Sequence, residues 1–516
     1  MICTSSMELG IDIGAVDLVA QYMSPRQVTR LVQRVGRSGH RVGELSVGVI
    51  LATDPDDIME AATISKRALE GALESNRVHE GALDVLAHQL VGLSLDKGNV
   101  GIDEAIALVR RAYPYRNISR EKLVEVLEQL AGQGLIRLLG EKFERNKAGW
   151  EYYFSNLSMI PDVKRYTVHD LASRRSVGTL DEEFIVAHGE PGVLFICKGE
   201  TWQVVEVDAE RGRVLVEPAE DPLGAIPAWE GELIPVPFEV AQEVGFARKT
   251  VAQLLKQGAQ PEEVAASLAA KYPMSRQAAN LFVEYIGKYL EEGTPLPTDD
   301  RMVAEVYDRF LVLHACLGSS VNETLARVLA PLFSARFGAS IAIKVDPYRI
   351  AFKFPREVDK SIVEETLREL KPELIEPILT LTLKDGPMYR WRLVQVAKRF
   401  GAIRRDAELT KLNLRRLIGA FEGTPIHEET MREIMLEKLD IDKAKEVVNL
   451  LREGKIELAF VVRSSSAGPT IIGWPILNEL SAGELVVPKR AEGEILRALK
   501  HRLNQHHVRL FCMNCL

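Results

Sequence analysis

The pattern at residues 16–53 constrains the fold more than any other part of this 516-residue chain. Residues 16–23 (VDLVAQYM) and 45–53 (LSVGVILAT) are short apolar runs of the kind that form buried strands. Between them, residues 25–35 carry apolar side chains at helical spacing, at Val28, Leu31, Val32 and Val35. Strand, helix and strand in this order predict a parallel α/β sheet, in which ligands bind at the carboxyl ends of the strands.

Residues 33–41 (QRVGRSGHR) concentrate positive charge where this helix ends. Arg34 and Arg37 are three residues apart, on either side of Gly36, so both guanidinium groups can reach one anion. Guanidinium groups placed in this way stabilise the charge that develops on a transferred phosphoryl group. The segment is therefore a candidate phosphate site.

A second polar segment precedes the first strand. Thr4 and Ser5, with Gly10 after them, offer hydroxyl groups and open backbone amides, which is the chemistry that holds nucleic-acid phosphates. Asp12 follows and suits a ribose hydroxyl or a metal-bound water. We therefore expect Thr4 and Ser5 to contact nucleic acid.

Composition limits the partners and the compartment. With 65 basic and 73 acidic residues the formal charge is −8, so a polyanion would have to be met by local basic patches. No apolar run is long enough to span a bilayer, and the first residues lack the pattern of a signal peptide, which favours a cytoplasmic protein. Five scattered cysteines are too few for a disulfide framework in a chain of this size and indicate a reducing compartment.

The remainder of the chain divides into segments of different periodicity. Residues 56–77 form an acidic connector, and three helical patterns followed by two strand-like runs (IRLLG and WEYYFSN) predict a winged-helix domain over residues 78–165. Short strands with closely spaced turns (EFIVAHGEPGVLFICKGETWQVVEVD) predict a small antiparallel β-barrel over residues 166–237. Residues 238–516 are mostly amphipathic helix. The expected fold class is a multidomain combination of α/β and α+β domains.

The beginning of the chain, CTSSMELGIDIGAVDLVAQYMSPRQVTRLVQRVGRSGHR, resembles motifs V and VI of superfamily 2 helicases, and among them the Lhr (large helicase-related) family. The fragments ELGIDIG, VDLVAQ and LVQRVGRSGHR follow one another in register. The winged helix, the small barrel and the long helical region come in an order that resembles the Lhr core. Phrases such as LHACLGSSVNETLARVLAPLFSARFG resemble its last domain, a DEAD/H-associated region.

This resemblance implies that residues 1–55 are part of the second RecA-like lobe of a helicase. It also implies which residues lie at the nucleotide: Gly10, Asp12, Gln33, Arg34 and Arg37. Arg37 is the arginine-finger candidate. Many relatives have arginine where this chain has His40, so the second finger is Arg34, Arg41 or His40 itself.

The resemblance further implies an ATP-dependent helicase that tracks one strand of DNA, or of an RNA:DNA hybrid, from 3′ to 5′ during nucleic-acid repair or processing. The implied cofactors are ATP and Mg²⁺. The implied partners are single-stranded nucleic acid and 3′-tailed duplexes.

The sequence contains no phosphate loop of the form G-x-x-x-x-G-K-[ST]. We therefore expect that ATP and Mg²⁺ are bound mainly by a missing N-terminal RecA-like lobe, and that the frame is truncated or is one half of a split gene. The chain alone should then be inactive as an ATPase. The alternative is a non-enzymatic nucleic-acid-binding subunit that completes a separate ATP-binding lobe.

Two further features are candidates for contact with the tracked strand. Trp202, in ETWQVVEV, is either an exposed platform on which a base stacks or a residue of the barrel core. Residues 390–416 contain nine basic and two acidic residues, and form either a phosphate-tracking surface or a solvated helix face. The candidate phosphate contacts are Arg390, Arg392, Arg404 and Arg405.

Cys512 and Cys515 form a C-x-x-C pair near the end of the sequence (FCMNCL). Two thiolates at this spacing supply half of a tetrahedral zinc site, which needs two more ligands. We expect less than one equivalent of zinc.

Overall fold

The structure, a computed structural model, describes residues 3, 8, 16–39, 45–75, 78–160, 164–189, 191–197, 200–208, 211–219, 226–227, 234–407, 413–464, 467–480 and 484–485. The chain forms two compact units. The first unit contains residues 1–75, 231–379 and 440–516, and the second unit contains residues 76–230 and 380–439. This division differs from the consecutive segments expected from the sequence, because helices after residue 380 pack on helices before residue 160.

The first unit begins with the expected strand, helix and strand, followed by a second helix. These are β1 (Val19–Tyr22), α1 (Val28–Val35), β2 (Gly48–Leu51) and α2 (Pro55–Leu69). β1 and β2 are parallel, with Val19 opposite Gly48 and Tyr22 opposite Leu51. The parallel α/β prediction for this segment is confirmed.

The two faces of this β1–β2 pair differ in burial. On one face Ile50 packs against a cluster that includes Val28 and Leu31 of α1. On the other face Tyr22 is 71% exposed and Leu51 54% exposed. A parallel sheet is normally covered on both faces, so this apolar face is unusual among the described residues.

The rest of the first unit combines helices with a six-stranded sheet. The sheet has the order β16-β12-β13-β15-β14-β17. Its strands are β12 (Arg301–Tyr307), β13 (Phe310–His314), β14 (Ala342–Asp346), β15 (Arg349–Lys353), β16 (Glu457–Arg463) and β17 (Glu484–Leu485). The helices are α8 (Phe238–Lys256), α9 (Pro261–Lys271), α10 (Arg276–Glu291), α11 (Ser319–Phe337), α12 (Lys360–Glu369), α13 (Pro372–Thr382), α17 (Ile441–Arg452) and α18 (Trp474–Leu480), and α13 crosses the boundary to the second unit after residue 379.

The second unit begins with four α-helices and a three-stranded sheet of order β3-β5-β4. The elements are α3 (Leu83–Lys97), β3 (Asn99–Gly101), α4 (Ile102–Val109), α5 (Arg120–Gly132), β4 (Ile136–Leu139), β5 (Lys142–Arg145) and α6 (Lys147–Ser155). Ser119 caps α5 as the sequence suggests, since its side chain accepts a hydrogen bond from Lys122 N at 3.0 Å.

The segment WEYYFSN was expected to be a strand, and this expectation is wrong. It lies in α6, which Asn146 caps by accepting a hydrogen bond from Lys147 N at 2.8 Å. Tyr152 and Gly149 are buried while Trp150 and Phe154 are exposed, which is helical and not alternating burial.

A second six-stranded sheet follows, with the order β11-β8-β9-β10-β6-β7. Its strands are β6 (Arg165–Asp170), β7 (Ser176–Asp181), β8 (Leu194–Cys197), β9 (Glu200–Asp208), β10 (Arg213–Pro218) and β11 (Ile226–Pro227). The β6–β10 and β8–β11 pairs are parallel, whereas an antiparallel barrel was expected. The expected strand EFIVAH is instead helix α7 (Glu182–His188). Closure of the sheet into a barrel stays a prediction.

Three helices complete the second unit: α14 (Pro387–Arg399), α15 (Leu414–Phe421) and α16 (Pro425–Glu437). α14 packs on α16, and both contact α3. Among the helices of the described ranges, none is long and apolar enough to cross a bilayer.

Candidate functional site

The turn after α1 holds Arg37 in a fixed position. Gly36 ends the helix, and the hydroxyl of the buried Ser38 accepts a hydrogen bond from Val47 N at 2.8 Å. Gly39 has a φ of +62°, and a Cβ at this position would lie 2.4 Å from the carbonyl oxygen of Leu45. The turn therefore needs glycine at Gly39, and it ties the end of α1 to the start of β2.

Arg34 is engaged within the fold. Its Nε donates to Glu8 Oε1 at 2.7 Å, and its Nη1 donates to Gln21 Oε1 at 2.9 Å. Arg30 donates to the other oxygen of Glu8 at 2.8 Å. Glu8 belongs to the motif ELGIDIG, so its carboxylate joins the two motifs that the sequence singled out. This pairing favours a structural role for Arg34 over a direct contact with a phosphate.

Arg37 has a different environment. The side chain is partly buried, and its Nε has no hydrogen-bond partner among the residues that the structure describes. Gln33 lies exposed on the last turn of α1. Of the two arginines in this helix and turn, Arg37 is the one with donor capacity left for a ligand.

The remaining motif residues lie outside the described part of the chain. These are Thr4, Ser5, Gly10, Asp12, His40 and Arg41. Their roles stay predictions.

Glu74 fixes the start of α1, and the sequence analysis did not find this residue. Its carboxylate accepts hydrogen bonds from Val28 N at 2.6 Å and Thr29 N at 2.9 Å, so it caps the helix from a position far along the chain. The N-cap residue Gln27 makes no capping side-chain hydrogen bond. Only tertiary structure reveals this contact.

Asp57 of α2 fixes the loop before α1. Its carboxylate accepts from Ser24 N at 2.7 Å and from Thr53 N at 2.9 Å, which connects the ends of β1 and β2. The loop contains two non-glycine residues with positive φ, Met23 at 60° and Arg26 at 66°. Such conformations persist only where surrounding contacts enforce them, and Asp57 supplies such a contact.

Trp202 is buried, which contradicts an exposed stacking platform. It is 6% exposed and packs in a core cluster with Phe195 and Tyr166. Strict alternation along ETWQVVEV would place Trp202, Val204 and Glu206 on one face of the strand. A β-bulge at this point pairs Leu215 with Glu206 and Val216 with Val204, so the alternation is interrupted between them.

Part of the basic segment also points inward. Arg392 donates to Glu433 at 3.0 Å and to Glu437 at 2.5 Å, and Arg399 donates to Glu433 at 2.5 Å. These carboxylates lie on α16, more than 30 residues further along the chain. Arg392 therefore stabilises helix packing, which favours a structural role, and its contact with a phosphate stays a prediction.

The other candidate arginines lie nearer the surface. Arg390 is partly exposed on α14, and Arg405 is partly exposed and donates to the carbonyl oxygen of Ser155 at 2.7 Å. The Arg404 side chain is 85% exposed and pairs with Asp406 at 3.0 Å. An exposed pair of this kind contributes little to stability, so Arg404 can exchange its partner for a phosphate.

Three buried carboxylates of the second unit approach one another. Oxygen atoms of Asp84, Glu429 and Glu433 lie within 4.8 Å. Arg399 pairs with Asp84 at 2.9 Å, and Arg432 pairs with Glu429 at 2.6 Å. Because the arginines already neutralise these groups, the cluster fits an ion-pair network better than a metal site. Burial raises the pKa of Glu429 to about 7.

The possible zinc ligands Cys512 and Cys515 lie outside the described residues. Zinc binding by this pair stays untested.

Three family sequence models match the chain in order. They are the helicase conserved C-terminal domain over residues 1–42, the winged-helix domain of the large helicase-related protein over residues 66–225, and the DEAD/H-associated model over residues 296–469. The chain is also 33% identical over 490 residues to the ATP-dependent helicase Lhr-Core protein 2 of Thermococcus barophilus. The chain belongs to the Lhr family of superfamily 2 helicases.

The Lhr relatives align with similar shares of this chain but with different shares of their own length. The match to the Thermococcus barophilus protein covers 89% of this chain and 55% of that protein. The Lhr helicase/uracil glycosylase of Escherichia coli is 26% identical over 506 residues, which cover 90% of this chain and 32% of that protein. This Lhr chain thus spans about half the length of the Lhr-Core relatives it matches.

The fold also agrees with a solved Lhr structure. Mycobacterium smegmatis helicase Lhr bound to ssDNA and AMP-PNP superposes with a TM-score of 0.67 and 22% sequence identity. The superposition covers 91% of this Lhr chain and 57% of the other. It supports the mixed α/β fold.

Proposed function

We propose that this Lhr chain supplies the arginine finger and part of the nucleic-acid surface of an ATP-dependent helicase that moves 3′ to 5′ on DNA or on an RNA:DNA hybrid. The observation that carries the proposal is the environment of Arg37. The backbone of Arg37 lies in a turn that Ser38 and Gly39 fix, and its buried Nε has no hydrogen-bond partner among the described residues. Such a donor suits an anion brought by another part of the protein.

The exposed face of β1 and β2 supports the presence of such a part. Tyr22, Val49 and Leu51 form an apolar surface that the described residues leave uncovered. Burial of this face would be favourable at about 25 cal/mol for each Å². We infer that further RecA-like structure, including a lobe with a phosphate loop, covers this face and completes the nucleotide cleft.

In the completed cleft Arg37 would stabilise the charge on the γ-phosphate, while Arg34 would stay paired with Glu8 and Gln21 and stabilise the motif. An arginine finger raises the rate of phosphoryl transfer by about 10³- to 10⁵-fold. Gln33, Gly10 and Asp12 would contact the nucleotide, and Thr4 and Ser5 would hold the strand. Mg²⁺ would be bound mainly by the other lobe.

The test joins this chain to the phosphate-loop lobe of an Lhr-Core relative and measures phosphate release with and without a single strand. We expect strand-dependent ATP hydrolysis in the joined protein, none in the chain alone, and a loss of about 10³-fold or more in Arg37→Ala. Arg276→Ala, an exposed arginine on α10, is the matched control and should retain full turnover.

Two outcomes would contradict the proposal. Robust ATPase activity of the chain alone would show that the cleft is complete without another lobe. Full turnover in the joined Arg37→Ala protein would exclude Arg37 as the finger. If the joined protein binds nucleic acid but hydrolyses no ATP, the non-enzymatic binding subunit is the better description.

A further inference from the structure

α6 of the second unit presents two neighbouring aromatic rings to solvent. Trp150 is 60% exposed and Phe154 is 48% exposed. The residues are one helical turn apart, and their ring centroids are separated by 4.8 Å. Large aromatic side chains are normally buried, so an exposed pair indicates a binding surface.

The opposite side of α6 is fixed firmly to the unit. Tyr152 is buried, and its hydroxyl donates to the carbonyl oxygen of Arg399 at 2.7 Å. Gly149 allows close contact with the chain at Leu135, because a Cβ there would lie 2.3 Å from the Leu135 carbonyl oxygen. The helix therefore cannot rotate to bury Trp150 without breaking these contacts.

A chain of ring contacts also supports the exposed pair from beneath. Tyr153 stacks on His88 of α3, with ring centroids 4.4 Å apart and planes at 12°. Phe154 meets the edge of Tyr153 at 5.3 Å. These contacts order the rings before any ligand binds, which lowers the entropy lost on binding.

Basic side chains lie at both ends of α6. Lys147 lies one turn before Trp150 on the same helix, and Arg405 donates to the carbonyl oxygen of Ser155 at the other end of α6. Arg404 is 85% exposed, and it interacts electrostatically with Glu151 and Asp406. The surface thus combines aromatic rings with more cations than carboxylates.

We propose that Trp150 and Phe154 form a stacking site for the bases of a single-stranded nucleic acid, with Arg404 and Lys147 contacting its phosphates. Every base has an aromatic face, so rings of this kind bind a strand without regard to sequence, while basic side chains follow its backbone. The proposal rests on the proposed function, and it assigns to α6 the stacking role that the buried Trp202 does not have.

The test measures binding of a fluorescein-labelled oligo(dT) strand to the full 516-residue chain by anisotropy. We expect Trp150→Ala to weaken binding by about 5- to 150-fold, and Trp150→Phe to restore most of the affinity, because both aromatic side chains stack. Trp474→Ala removes an equally exposed tryptophan, 59% exposed on α18 of the first unit, and should bind like the wild type.

A strand of abasic sites separates stacking from charge. Trp150→Ala and the wild type should bind the abasic strand equally, since no base is present to stack. Arg404→Ala should weaken the binding of both strands. It should also reduce the magnitude of the slope of log affinity against log salt concentration by about 0.7, because one phosphate contact is lost. Arg368→Ala, which removes another exposed and paired arginine, should change neither the affinity for the two strands nor its salt dependence.

The outcomes distinguish this proposal from the proposed function. If the wild type binds the oligo(dT) strand and Trp150→Ala binds it equally, the stacking site is wrong and the proposed function stands. If the wild type binds no strand, both are wrong. An equal loss of affinity for the normal and abasic strands in Trp150→Ala would overturn stacking as well, and thermal unfolding of each variant excludes loss of structure as the cause.

Discussion

Glu429 is a buried carboxyl group whose protonation should change the stability of the second unit. It accepts a hydrogen bond from Leu83 N at 2.9 Å and pairs with Arg432 at 2.6 Å. Burial raises its pKa from 4.5 to about 7, against the hydrogen bond from Arg432, which lowers it. A neighbouring buried carboxyl group, Asp84, also has a raised pKa because of burial.

The sign and the size of the change in unfolding free energy with pH follow from this pKa. A group that holds its proton more tightly in the folded state stabilises the fold fully below the unfolded pKa, and this contribution is lost as pH rises through the folded pKa. Between 4.5 and about 7 the loss, at about 1.4 kcal/mol for each pH unit, amounts to about 3 kcal/mol. We therefore expect the unfolding free energy of the second unit to fall across this window.

Glu429→Gln keeps the size and an acceptor oxygen but cannot ionise, so the variant should lose this part of the pH dependence. The assay is urea unfolding followed by tryptophan fluorescence from pH 4.5 to 8, in a Trp474→Phe background. In that background the four remaining tryptophans, Trp150, Trp202, Trp229 and Trp391, all belong to the second unit and report on it. The difference between variant and parent should grow by about 3 kcal/mol in favour of the variant over the window.

Glu428→Gln is the control, because it removes one carboxylate from the adjacent position, where the side chain is 49% exposed. It should leave the pH dependence of the parent intact. Parallel stability curves for Glu429→Gln and its parent across the whole range would refute the assignment of this titration to Glu429.

Three further predictions follow from the site and the core. Glu74→Ala removes the carboxylate that caps α1, so it should lower the unfolding free energy of the first unit by about 1–2 kcal/mol and reduce ATP turnover in the joined protein; unchanged hydrogen exchange at the Val28 and Thr29 amides would contradict this role. Trp202→Ala should destabilise the second unit by about 3–5 kcal/mol, measured by urea unfolding, because it empties a packed core. Metal analysis of the purified chain should find less than one equivalent of zinc, whereas a full equivalent would mean that Cys512 and Cys515 have further ligands.

Local sequence patterns predict the elements whose signals are local. The strand, helix and strand at the start of the first unit follow from apolar spacing, and the cap of α5 follows from Ser119 alone. Local patterns do not predict that α6 is a helix. Its aromatic residues favour a strand, whereas packing against residues distant in sequence stabilises the helix. Gly149 against Leu135 and Tyr152 against Arg399 are contacts that no local pattern contains.

The candidate site residues also differ in whether their surroundings can be predicted from the local sequence. The motif around Arg37 predicts a phosphate site from spacing and residue type, and this site stays a prediction. Arg392 resembles a surface cation in the sequence, since its partner Glu433 lies 41 residues away. Trp202 is ambiguous in the sequence because alternation places it on one face of a strand but does not show which face the rest of the domain covers.

The division of the chain between the two units has a consequence for its synthesis. The polypeptide passes from one unit to the other after residues 75, 230, 379 and 439, so neither unit is a continuous stretch of sequence. On the ribosome, α3 must wait for α14 and α16, which emerge roughly 300 residues later at about 5–20 residues per second. The carboxylate of Asp84 therefore remains without the guanidinium of Arg399 for tens of seconds, and early helices of the second unit are candidates for chaperone binding.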